Sequence, residues 1–166
     1  MLCVTVSDNT SSDTDTEEHN MAEQESAEKT VVRQVFERID DHDPDVFEEL
    51  ISADVTTGVY RSGSGDEVVG RDGMKALWQE YWEAFPDLRG VSTELVQEDN
   101  RVAIFRKEEG THEGEFRGID PTGREITFEY SGYVDVEDDQ IVHAYFHGDI
   151  LDLLKQMGIE SPIPEP

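Results

Sequence analysis

The sequence predicts one α+β domain built around a mostly apolar pocket, and three observations carry that expectation. Apolar residues recur at helical spacing through the first half of the chain and alternate with polar ones through the second half. The strongest helical stripe is bulky and aromatic. With 166 residues, the chain suits a single domain and its core rather than two. Helices followed by antiparallel strands place the helices on one face of a sheet. A long, bent sheet leaning over three helices leaves a cone with an open end, a concave space of the kind that binds small molecules.

Residues 1 to about 27 carry many Ser, Thr, Asp and Glu and no Lys or Arg. Such a segment cannot bury enough apolar surface to order itself, so a disordered acidic tail is expected there. Met21 is a candidate start, which would make the first twenty residues an artefact of the gene start. Val31, Val32, Val35, Phe36 and Ile39 predict a first helix over 28–41. Asp43-Pro44 reads as an N-cap followed by proline at the first helical position. Val46, Phe47, Leu50 and Ile51 give that second helix its apolar face. Residues 54–69 are polar and glycine-containing, expected as a short strand and a loop. Met74, Leu77, Trp78, Tyr81, Trp82 and Phe85 define the third helix, which Pro86 stops.

The remainder reads as a meander. Val91 to Gln97 alternates, Glu98-Asp99-Asn100 turns the chain, and 101–109 continues as a strand. Asp120-Pro121-Thr122-Gly123 has the residues of a tight turn. Ile126, Phe128, Tyr130, Val134 and Val136 share one parity, with Gly132 expected as a bulge. Glu137 to Gln140 turns the chain again and 141–149 returns. A short helix over Ile150 to Met157 then ends at Gly158 as a C-cap. The proline-rich tail, 161–166, cannot be regular.

Hydrophobic residues make up 36% and charged residues 32%; 40 acids face 13 bases, for a formal net charge of −27. That balance excludes a nucleic-acid partner, because phosphates require a positive footprint. It also disfavours anionic membrane surfaces. No stretch approaches the ~20 apolar residues of a membrane span, and no secretory signal pattern is present. Cys3 is the only cysteine; a disulfide within the chain is excluded, which fits a reducing cytoplasm. Self-repulsion of this size is tolerable at molar salt, where the Debye length falls to roughly 3 Å. The acid-rich, lysine-poor composition is similar to that of proteins from salt-in halophiles. The competing reading is an acidic mesophilic protein with a disordered tail.

Chemistry is sought first in the last strand. Strict alternation from Ile141 puts His143, Tyr145, His147 and Asp149 on one face and Val142, Ala144 and Phe146 on the other. His143 and His147 would lie about 13 Å apart on a strand, too far to share one ion, so no metal site is expected. His147 and Asp149 would be about 7 Å apart and point the same way. A carboxylate in an apolar cavity has its pKa raised by desolvation, which suits a base near neutrality. Two readings of Asp149 stand: pocket acid/base, or N-cap of the helix that begins at Ile150. His112 sits in the glycine-spaced stretch 110–118 and has two readings as well, the pocket mouth or a hydrogen bond within the bend. Trp78, Tyr81 and Trp82 on the third helix, with Phe116, Tyr130 and Tyr145 among the strands, are the candidates to line the pocket; the competing role for each is to cover the sheet.

Gly110-Thr111-His112-Glu113-Gly114-Glu115-Phe116-Arg117-Gly118, Pro121-Thr122-Gly123-Arg124, the Asp139-Gln140-Ile141-Val142 turn, and Asp149 followed by Leu153 to Gly158 resemble the SnoaL-like polyketide cyclase (ester cyclase) family. Gly70-Arg71-Asp72-Gly73 and Trp82 to Leu88 fit the same pattern, and the match spans about 28–160. The resemblance implies the cone-shaped nuclear transport factor 2-like fold: three helices on a curved, mainly antiparallel sheet, with a short C-terminal helix. It further implies a cofactor-free cyclase closing a ring by intramolecular aldol condensation, with Asp149 as acid/base and His147 and His112 as its partners. Relatives pair through the outer sheet face, so a homodimer is implied. Many relatives read His-Trp-Asp where this chain has Ala144-Tyr145-Phe146. The alternatives are a non-catalytic small-molecule-binding module of the same fold and a protein–protein recognition domain.

Overall fold

The computed structural model describes residues 25–60, 67–68 and 70–159. The tail readings, the alternative start and Cys3 lie outside the described residues, as does most of the loop expected before the third helix. Helix α1 (Ala27–Asp40) is capped by Ser26, whose hydroxyl accepts a hydrogen bond from the Lys29 amide at 3.2 Å, and it buries Val31, Val32, Val35, Phe36 and Ile39. Helix α2 (Val46–Leu50) is shorter than the capping pattern predicts. Asp43 still accepts from the Asp45 amide at 2.9 Å, as a capping aspartate does, but residues 44–45 form a turn before the regular helix starts.

Strand β1 (Ile51–Tyr60) follows α2 at once. Ile51 is therefore the first residue of a ten-residue strand and not part of the helix face. It is fully buried opposite Ile141, because the same apolar side chain serves the strand's inner face. Strand β2 (Glu67–Val68) precedes α3 (Gly70–Ala84). Then come β3 (Arg89–Glu98), β4 (Arg101–Thr111), β5 (Glu125–Glu137), β6 (Gln140–Gly148) and α4 (Ile150–Gln156). The six strands form one sheet in the order β2-β1-β6-β5-β4-β3. All neighbours are antiparallel except β1 and β6. Gly158 takes φ +92°, the left-handed conformation of a residue just past a helix end, as the sequence predicts.

Three local expectations are corrected. Gly132 is not a bulge: β5 pairs with β4 without interruption from Glu125 to Asp135. A Cβ at Gly132 would lie 2.0 Å from the Tyr145 carbonyl oxygen and 2.6 Å from the Phe146 ring, so glycine is required by close approach. The tight two-residue turn falls at Arg117-Gly118, both at positive φ, where Phe116 and Ile119 exchange backbone bonds at 3.1 and 2.9 Å. Gly123 does take φ +65°, yet residues 120–124 form an irregular segment that leads into β5.

The third correction matters most for the site. The β5–β6 register steps from Asp135↔His143 to Val136↔Ile141, leaving Val142 as the extra residue of a bulge. One inserted residue inverts the facing of everything beyond it, because strand side chains alternate with a period of two. Ile141, Ala144 and Phe146 therefore share the inner face, where Ile141 and Ala144 are buried. Tyr145 and His147 face outward.

Two apolar clusters lie between the helices and the inner sheet face. The larger joins α1, α2 and β1 to the middle of β4, β5 and β6. The smaller gathers Phe85, Phe116, Ile126, Leu153 and Met157 around the ends of α3 and α4. The cavity described next is lined from both clusters.

Candidate functional site

A cavity of about 110 Å³ opens between the inner face of the sheet and α1–α3. Its walls are aliphatic and aromatic: Val35, Phe36 and Ile39 from α1, Met74, Leu77, Trp78 and Tyr81 from α3, and Phe128, Val134, Ile141 and Phe146 from the sheet. The volume is somewhat less than the roughly 150 Å³ of an engineered apolar cavity that admits benzene, so the space takes at most one small ring. Among the described lining residues, four bring a charged group or a phenol hydroxyl: Glu108, Arg117, Tyr130 and Tyr81.

Glu108 and Tyr130 belong to a polar network set into the apolar floor. Inner-facing positions of β4 run Val102, Ile104, Arg106, Glu108 and Gly110, all of them buried. Arg106 is buried under α1, with its guanidinium 4.6 Å from the centre of the Phe36 ring. It donates to Asp40 at the end of α1, to the Thr93 hydroxyl at 2.7 Å, and through Nε to Glu108 Oε1 at 2.8 Å. The Tyr130 hydroxyl donates to the same Glu108 oxygen at 2.9 Å. Among the described residues no hydrogen bond reaches Oε2.

Burial governs the ionisation of this group. Desolvation raises the Glu108 carboxyl above its ordinary 4.5; the Arg106 charge and the hydrogen bonds from Arg106 and Tyr130 pull it back, and burial wins. Tyr130 is pushed well above 10 by burial and by the neighbouring carboxylate. The Arg106 guanidinium stays charged, because Tyr130, Glu108 and Asp40 outweigh its own desolvation. Buried ion pairs are weak sources of stability, since desolvation offsets most of the attraction. A carboxyl raised by desolvation on the wall of an apolar cavity is a candidate functional group.

The structure sorts the residues singled out in the sequence. Trp78, Tyr81 and Tyr130 line the cavity. Trp82 stacks on His42 at 5.2 Å and packs on the core. Phe116 is fully buried behind Tyr81, at 5.3 Å between ring centres. Tyr145 stacks on Tyr133 of the outer face at 5.7 Å. His112 is fully buried against Phe85, with Nδ1 3.0 Å from the Thr122 hydroxyl. Burial lowers its pKa, and its hydrogen bond to Thr122 lies within the bend. His147 and Asp149 line a shallow cleft on the outer sheet surface and are exposed. Asp149 accepts from the Asp152 amide at 3.0 Å and caps α4. The bulge at Val142 is why these two residues do not reach the cavity.

Glu108 and Arg106 were hidden in the run Arg106-Lys107-Glu108-Glu109, which looks like a solvated charge cluster. The available signal was parity: both fall in step with Val102 and Ile104 on a strand.

Helices leaning over one face of a curved sheet, with an apolar cavity between them, define the cone-shaped nuclear transport factor 2-like class. Within it the chain belongs to the SnoaL-like polyketide cyclase family, whose model matches residues 29–157. Among solved structures, IdmH from Streptomyces antibioticus, assigned as a polyketide cyclase, is 27% identical over 80% of this chain and 99% of its own, with a TM-score of 0.70. AclR from Streptomyces galilaeus, assigned as a hydroxylase, shares the fold at 23% identity, with a TM-score of 0.71 over 83% of this chain and 89% of its own. A SnoaL-like protein from Jannaschia sp. CCS1 does so at 19% identity, with a TM-score of 0.72 over 84% of this chain and 99% of its own. No curated protein matches the sequence significantly. Among the described residues no helix is long and apolar enough to cross a membrane, and no group of three His, Cys, Asp or Glu side chains is placed to hold a metal ion.

Proposed function

We propose that this protein is a cofactor-free acid/base catalyst that acts on a small, largely apolar carbonyl compound inside the cone, by intramolecular aldol-type ring closure or isomerisation. Glu108 is the acid/base group. The observation that carries the reading is a buried carboxyl of raised pKa on the wall of an apolar cavity, with two hydrogen bonds on one oxygen and none from the described residues on the other. In the proposed step the carboxylate takes a proton from the carbon α to a carbonyl. The enolate carbon forms a bond to a second carbonyl of the same molecule, and the carboxylic acid returns its proton to the resulting alkoxide. Once Glu108 has taken the proton, the single Tyr130 hydroxyl proton turns from it to the enolate oxygen, which it stabilises. The kinship with IdmH supports the cyclase reading.

Asp149 and His147, the pair singled out in the sequence, fit this role less well because solvent reaches both. The same reading places two copies of the chain back to back through the outer sheet face, where Val96 and Phe105 are 61% and 53% exposed beside the stacked Tyr133 and Tyr145. Cytoplasmic location belongs to the proposal too.

The test is proton exchange in heavy water. 4-Oxo-4-phenylbutanoate offers one ring, a ketone and exchangeable protons beside it, and deuterium uptake is read by proton NMR. Acceleration by the wild type that Glu108→Gln abolishes and Asp149→Asn retains supports the proposal; no acceleration, or acceleration that survives Glu108→Gln, contradicts it. The second reading, a non-catalytic binding module, is favoured by Phe146. That ring lines the cavity at the position where many relatives carry the aspartate of His-Trp-Asp. Binding of the ketone without exchange decides for it.

A further inference from the structure

The cavity has a second polar end. Arg117 lines its rim and is, among the described lining residues, the one cation. Its guanidinium lies 5.0 Å from the centre of the Phe116 ring, and its Nε forms a long ion pair with Glu80 at 3.6 Å, which leaves the two terminal nitrogens to other partners. Among the described residues no hydrogen bond engages any of its nitrogens. Arg106, the other arginine of the site, has all three nitrogens bonded. An arginine with both terminal nitrogens open presents the planar fork that matches a carboxylate in bidentate fashion.

The backbone under Arg117 adds a second argument. It is the first central residue of a two-residue turn, at φ +52°, followed by Gly118 at +78°. Glycine, asparagine and aspartate suit that conformation, and a long side chain is strained there. Strain of this kind is retained where the side chain it presents has a use. The turn itself is anchored, because the Glu113 and Gly114 amides both bond to the Ala84 carbonyl at 3.0 Å, which ties the hairpin to the end of α3.

Between the two ends runs a path of rings. Tyr130 contacts Phe128 at 5.6 Å, Phe128 stacks on Tyr81 at 6.0 Å, Tyr81 contacts Phe116 at 5.3 Å, and Arg117 lies over Phe116. With three rings between Tyr130 and Arg117, one functional group cannot touch both ends. We infer that Arg117 is a specificity residue that holds a carboxylate of the substrate at the cavity rim, so that the substrate is a keto acid whose apolar body directs its carbonyl inward to Glu108 and Tyr130. This rests on reading the cavity as the substrate site.

Two ligands that differ only in charge at one end test it: 4-oxo-4-phenylbutanoate and its methyl ester. Binding is read by quenching of tryptophan fluorescence, since Trp78 lines the cavity, at one fixed salt concentration. The acid is expected to bind about tenfold more tightly than the ester. Arg117→Asn, which suits the positive φ and so keeps the turn, is expected to bring the ratio to about one with the ester's affinity unchanged. Equal binding of acid and ester by the wild type, a ratio that survives Arg117→Asn, or no binding of either ligand would overturn the inference. Glu108→Gln separates this result from the fate of the acid/base reading: it is expected to keep the preference for the acid while losing proton exchange. A preserved preference with no exchange in the wild type would sink the catalytic reading alone.

Discussion

Glu108 on β4 and Asp149, just past the end of β6, are two carboxylates in different solvents. Glu108 stands on the inner face of β4, almost fully removed from water, bonded to a buried arginine and a half-buried tyrosine. Asp149 stands at the outer end of β6, open to water, with its side chain turned to the first amides of α4. The sequence makes Asp149 the more conspicuous, since it closes a strand rich in histidine and tyrosine. Yet water sets the chemistry. Desolvation raises the Glu108 carboxyl above its ordinary 4.5 and so makes its carboxylate the stronger proton acceptor.

That contrast can be broken in several ways. The largest effect is expected from Glu108→Gln, which removes the proton acceptor and keeps the shape; ketone proton exchange should fall by about 10²–10⁴-fold in the NMR assay. Next is Arg106→Met. It leaves Glu108 and Asp40 without their shared cation and should cost about 3–5 kcal/mol in denaturant unfolding. Tyr130→Phe removes the one donor that serves Glu108 before the proton transfer and the enolate after it, so exchange should drop about 10²-fold. Because that hydrogen bond lowers the Glu108 pKa, the acid limb of the pH–rate profile should move upward.

The pH dependence of stability sharpens the comparison further. A carboxyl whose folded pKa is raised holds its proton in the native state after the unfolded chain has released it. From about 4.5 up to the folded value, the unfolded state therefore binds fewer protons, and stability falls as pH rises. Wild type should lose stability relative to Glu108→Gln across that window, measured by denaturant unfolding at a series of pH values. A constant difference would deny the shift. Asp149→Ala should give the smallest effect. The loss of a helix cap costs about 1 kcal/mol by thermal unfolding and leaves exchange within a factor of about two.

The fold was legible because each level of the sequence agrees with the others. The aromatic stripe of α3 ends at Pro86, alternation marks β3 to β6, and Gly158 closes α4 as a glycine past a helix end does. Site facing was less legible, for a physical reason. A single extra residue at Val142 costs little in backbone energy, leaves no mark in composition, and still exchanges the two faces of everything after it. Glu108 was obscured in the opposite way: its strand parity was readable, but the four-residue charge run around it looks like surface. Arg117 is quieter still. Its positive φ follows from the turn chosen at 117–118, while the glycines at 114 and 118 only announce that the chain bends somewhere nearby.

The most direct test of the account is the ionisation of Glu108 itself, read from the side-chain carboxyl carbon by NMR of glutamate-labelled protein between pH 3 and 9 and assigned by loss of the signal in Glu108→Gln. The account predicts a midpoint displaced upward from the ordinary 4.5. A midpoint at or below that value would mean that Arg106 simply neutralises a structural carboxylate, and would contradict the assignment of Glu108 as the acid/base group.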